Sequence, residues 1–100
     1  MATSKADKIA VENVNHPGQV RYVDAERYAA MRRAFVRVLP KISPGLTPQE
    51  ALERARAHLP NVLFPGGARA GWWAKTVQLD LEAKGVIARE TSKPLRLHKV

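Results

Sequence analysis

The chain has no cysteine among its 100 residues. That excludes a disulfide scaffold, a thiolate metal site and a cysteine nucleophile. No apolar run approaches the roughly 18 residues a membrane span needs. The polar first eight residues lack the apolar stretch of a signal peptide. A soluble cytoplasmic protein is therefore expected. Acidic residues are also scarce, 9 Asp and Glu against 17 Lys and Arg, a formal charge of +8. The three histidines, His16, His58 and His98, have no ligand spacing, so no metal is expected. There is no Gly-x-Ser-x-Gly, and Ser4, Ser43 and Ser92 fall in turns or the tail. No pair of carboxylates suggests acid/base work, Glu50 with Glu53 being ordinary helix-surface residues. An enzyme is not expected, nor is a cofactor.

What is present is enough to build a core. Hydrophobic residues make up 45% of the chain, too many for a disordered basic tail. The length fits one domain, expected over 9–100, with 1–8 a flexible tail. The cationic excess favours acidic partners, nucleic acid first. It gathers in two places, the first helix and the C-terminal end.

Ile9, Val11, Val14, Val20, Tyr22 and Val23 mark two extended segments, interrupted by Asn15-His16-Pro17-Gly18. Pro17-Gly18 suits the centre of a type II turn, so a hairpin is predicted. Asp24 can cap a helix over 25–39. Tyr28, Met31, Phe35, Val38 and Leu39 share one face of it, and Arg33 and Arg37 the solvated opposite one. Pro40 stops it. Thr47-Pro48-Gln49-Glu50 is a capping box with proline at the first helical position. It opens a second helix to about residue 59, with Ala51, Leu52, Ala55 and Leu59 facing inward. A third helix is predicted over 68–84, with Gly85 as its left-handed stop. Strands over 86–90 and 95–99 then flank Thr91-Ser92-Lys93-Pro94. Leu95 and Leu97 alternate there with Arg96 and His98, the pattern of a strand with one buried face.

Three helices followed by a basic hairpin give an α+β fold with the outline of a winged helix-turn-helix domain, preceded here by the N-terminal hairpin. Leu81 and Gly85 resemble, in spacing, the end of the third helix and the start of the wing in such domains. The segment from Leu46 to Ala51 looks like the lead into their second helix, and Leu46 can add the short strand that often precedes it. One departure is the connection over 60–67, longer than the usual three or four residues. The resemblance covers 25–100. The chain as a whole also resembles a small family of uncharacterised bacterial proteins, through the start Val11 to Gly18 and the block Phe64-Pro65-Gly66-Gly67 to Gly71-Trp72-Trp73. That family implies no catalytic residues.

On the third helix Ala70, Trp73, Ala74, Val77 and Leu81 form one stripe. Trp72, Thr76, Leu79 and Ala83 lie nearly opposite. The second stripe packs beneath the 9–23 segment or meets a partner, for instance a second copy in a homodimer. The area a buried tryptophan covers favours packing. Either way this face is poorly suited to reading DNA bases, and Asp80 and Glu82 would repel phosphate. Arg69 and the N–H groups after Pro65-Gly66-Gly67 can meet a phosphate, though the glycines more simply permit a tight turn.

The function expected is nucleic-acid binding, to double-stranded DNA, through phosphate contacts by Arg69, Lys75, Arg89, Lys93 and Arg96. For the wing cations, a solvated edge guarded against strand pairing is an equal reading. The alternative function is a protein-interaction module meeting its partner through Trp72 and Leu79.

Overall fold

The computed structural model describes residues 7–90 and 93–100. Strand β1 (Lys8–Val11) pairs antiparallel with β2 (Arg21–Asp24), with Ile9 opposite Val23 and Val11 opposite Arg21. The amide of Gln19 donates to the carbonyl of His16 across Pro17-Gly18, as the turn predicts. Val11 and Val23 are buried and carry this hairpin onto the core. The expected tail ends sooner than residue 8: Lys8 already pairs with Asp24, and the amide of Ala25 donates to the carbonyl of Asp7. Residues 1–6, the rest of that tail, lie outside the described residues.

Helix α1 (Ala25–Val38) begins where Asp24 accepts the amide of Arg27 at 2.9 Å. Of the predicted stripe, Tyr28, Met31, Phe35 and Leu39 are all under 4% exposed, and Val38 is half-buried. Helix α2 (Pro48–Arg56) carries both halves of the capping box, Glu50 N to Thr47 Oγ1 at 3.1 Å and Thr47 N to Glu50 Oε1 at 2.9 Å. It stops three residues short of the expected end. There, His58 and Leu59 donate to carbonyls three residues back, which tightens the last turn. Leu59 still packs against the core.

Helix α3 (Ala70–Ala83) starts two residues later than predicted. A 3₁₀ turn at Pro65–Gly67 precedes it, with Gly66 and Gly67 at positive φ, and Arg69 is left-handed too. Three such residues so close together cannot be helical. The glycines thus serve the turn, and Asn61 Oδ1 accepts the amide of Gly66 at 3.1 Å. The inward stripe of α3 is as expected: Ala70, Trp73, Ala74, Val77 and Leu81 are all buried.

Strands β3 (Ile87–Glu90) and β4 (Arg96–Lys99) pair antiparallel, Ile87 with Lys99 and Glu90 with Arg96. The turn joining them falls partly on residues 91 and 92, outside the described residues. Leu97 is fully buried, and Leu46 bridges to it antiparallel through both backbone bonds, 2.9 and 2.7 Å. Gly45 makes this possible. A Cβ there would lie 1.9 Å from the Leu97 carbonyl oxygen, and the residue has φ of 88°. The architecture is α+β, three helices with two small antiparallel hairpins. No helix among the described residues is long and apolar enough to cross a membrane.

Candidate nucleic-acid interface

Asp80 organises the polar interior. Its side chain is fully buried, where a lone carboxylate would be costly. Three donors offset that cost. Oδ1 accepts the amide of Glu12 at 2.8 Å, Oδ2 accepts the Tyr28 hydroxyl, and Lys84 Nζ lies 2.8 Å from Oδ1. Burial, followed by the bond to Asp80, pushes the Tyr28 phenol well above its ordinary ionisation range. This corrects the reading of Asp80 as an outward acid that would repel phosphate. The helical spacing to Lys84 was the available signal, since i and i+4 residues face one another. The contacts with Tyr28 and Glu12, 52 and 68 residues away, left none.

Lys84, fixed from below by Asp80, stands at the rim of an open groove of about 610 Å³. Arg32, Arg33 and Arg37 of α1 and Lys99 of β4 line it as well. Its apolar floor includes Ile9, Ala29 and Val36. Arg33 and Arg37 are one turn apart on α1, about 6 Å along the axis. Lys99 is placed by its amide, which donates to the carbonyl of Pro40 at 2.8 Å. No carboxylate is among the described residues that line the groove. The first helix and the C-terminal strand, the two cationic regions of the sequence, thus meet on one face. The helical spacing places Arg33 and Arg37 together on a solvated face, where both are exposed, but holds no information about Lys84 and Lys99.

The five expected phosphate contacts are not brought together. Arg69 sits before α3 with its guanidinium 5.3 Å from the Trp72 ring centre. Lys75 is exposed on α3 beside a second cleft. Arg89 pairs with Glu82, Nη2 to Oε2 at 3.1 Å, and this bond holds the guanidinium above its ordinary pKa. Arg96 Nη1 lies 3.3 Å from the Gly45 carbonyl and 3.6 Å from Glu50 Oε1. The Glu50 carboxyl is held below its ordinary range, first by the Thr47 amide and further by Arg96. Paired residues share a sheet face, so Arg89 lies with Leu97 and Arg96 with Glu90, on opposite faces. Only Lys93 of the wing is exposed without such a carboxylate contact among the described residues. Glu82, expected outward, is spent on Arg89 and on the buried Gln78, whose Nε2 donates to it at 2.8 Å.

The outer stripe of α3 is half-covered. The Leu79 carbonyl accepts the amide of Val14 at 3.3 Å, and Leu79 is half-buried beneath the N-terminal hairpin. Trp72 stays 39% exposed. Among the described residues no cluster of His, Asp or Glu is arranged to hold a metal ion.

Residues 8–97 match a family described as a family of unknown function, DUF6958. The chain belongs to that family. The match runs from the first residue of β1 to the buried Leu97 of β4 and so spans the N-terminal hairpin, all three helices and the C-terminal hairpin up to that residue. Neither the curated proteins nor the solved structures gave a match.

Proposed function

We propose that this member of the family is a bacterial, cytoplasmic winged-helix module that binds nucleic acid through phosphate contacts and catalyses no reaction. Support for the fold reading comes from Leu46. By bridging to β4, it extends the C-terminal hairpin to the order Leu46, β4, β3. A short strand between the first two helices that joins the wing is what the winged-helix reading calls for.

The observation that carries the function is the groove of Arg32, Arg33, Arg37, Lys84 and Lys99. Arg32, Arg33, Arg37 and Lys99 carry its positive potential, and Lys84 adds less because Asp80 already holds it. The groove is open, which suits an extended phosphate backbone better than an enclosed small anion. Arg69 and Lys75 supply a second, smaller positive region. Arg89 and Arg96 contribute less because carboxylates already hold them. Sequence readout by α3 is not part of this function, since the N-terminal hairpin lies over its outer stripe.

Binding to a 20-base-pair duplex across a salt series tests the proposal. Affinity should fall steeply with salt, with a slope of about −0.9 per phosphate neutralised. Replacing Arg32, Arg33 and Arg37 together by glutamine should weaken binding far more than Lys93→Glu with Arg96→Glu. Absence of binding at the lowest salt would end the proposal. Equal affinity of the triple variant and the parent would exclude the groove.

The exposed Trp72 favours one second reading, a homodimer or other protein contact through Trp72 and Leu79. Sedimentation decides it: a strict monomer at high concentration removes the dimer.

A further inference from the structure

The β1–β2 hairpin and α3 enclose a separate cleft of about 410 Å³, within the size range of small-molecule sites. No residue lines both this cleft and the cationic groove. On the α3 side, Trp72, Thr76 and Leu79 follow one another along one face at spacings of four and three residues, and Lys75 flanks them three residues after Trp72. An aromatic ring thus stands at one end, an ammonium one turn on, and an apolar side chain one turn further. Across from them the hairpin contributes Arg21 and Glu12.

We infer that this cleft binds a small planar aromatic carboxylate. The Trp72 indole is 39% exposed and held in place: Trp73 stands perpendicular to it with ring centres 5.0 Å apart, the Arg69 guanidinium lies 5.3 Å from its centre, and a ligand ring packs on the part of the indole that Arg69 leaves open. Little rotamer freedom is therefore lost when a second ring packs there. The charge of the lining selects the ligand's head group. Arg21 and Lys75 stand against Glu12 alone, an excess of one positive charge, which suits a monoanion. A dianionic phosphate would exceed that single net charge. Lys75 lies about 4.5 Å along the helix axis from Trp72, so one ligand can stack and pair at once. This inference shares Lys75 with the smaller cationic region of the nucleic-acid reading but uses none of the groove residues, so naphthoate binding and the effect of the Arg32, Arg33 and Arg37 variant on DNA binding are separate readouts.

The test is an NMR titration of the full chain with 2-naphthoate, alongside neutral 2-naphthalenemethanol, inorganic phosphate and adenosine 5′-monophosphate. Naphthoate should shift the Trp72 indole N–H and the amides of Lys75 and Thr76, saturably. Lys75→Met should weaken it at least tenfold, Arg21→Met several-fold, and Trp72→Phe less than Trp72→Ala. Lys75 and Arg21 are exposed, so their variants keep the fold even if Trp72→Ala does not. No shift at millimolar naphthoate would overturn the inference. So would equal binding of the neutral alcohol, tighter binding of the nucleotide, or an unchanged affinity in Lys75→Met.

Discussion

Asp80 has the most to lose of any single residue. Its carboxylate accepts from the amide of Glu12 just after β1, the phenol of Tyr28 on α1 and the ammonium of Lys84 at the end of α3. Replacing it with alanine strands the buried Tyr28 hydroxyl and frees the hairpin at Glu12. Breaking a buried pair typically costs 3–5 kcal/mol; Lys84 is 37% exposed and can turn to water, so about 3 kcal/mol is expected, read by urea denaturation. Tyr28 makes a pH prediction. In the unfolded chain its phenol ionises near 10. In the folded protein it stays protonated to higher pH. The unfolded state therefore releases the proton first. This contribution to stability is complete below about pH 10 and is lost as pH rises above it. Unfolding curves between pH 8 and 11 should show that decline in the parent and a smaller one in Tyr28→Phe.

Among the elements, the short strand at Leu46 is the most sensitive. Gly45→Ala combines strain at positive φ with a clash against the Leu97 carbonyl. It should cost at least ~2 kcal/mol and loosen protection of the Leu46 and Leu97 amides in hydrogen exchange. The start of α2 is a milder case. Thr47→Ala removes the hydroxyl that accepts the Glu50 amide and should cost about 1 kcal/mol by the same urea measurement. Both element starts were legible, since Asp24 and Thr47 cap helices through neighbours three residues away. The ends were less so. Leu59 keeps its place in the core although the helix stops at Arg56, because a tighter turn carries the chain on.

For the whole molecule the decisive quantity is where net charge gathers. If Arg32, Arg33 and Arg37 each neutralise one phosphate, the glutamine triple variant should reduce the salt slope by about 2 to 3 on duplex DNA. The same variant should leave the urea midpoint nearly unchanged, since all three side chains are exposed on α1. The wing behaves differently. Arg89 and Arg96 diverge to opposite faces of the sheet, and each meets a carboxylate from a helix. No residue pattern within 86–99 announces those two partners, Glu82 and Glu50, because both pairings come from how the wing leans on α2 and α3.

Local chemistry by itself determined the caps at Asp24 and Thr47, the turn at Pro17-Gly18, the inward stripes of α1 and α3 and the pairing of the C-terminal strands. All of these depend on residues close along the chain, whose spacing and backbone preferences act before any packing. Only the tertiary structure decided which charges are spent and which are left. Asp80 went inside because Tyr28 and Glu12 met it there, and Arg32, Arg33 and Arg37 of α1 came to one groove with Lys99 of β4 and the Asp80-paired Lys84. Such encounters are set by how helices and hairpins pack, and a linear order of residues does not contain those distances.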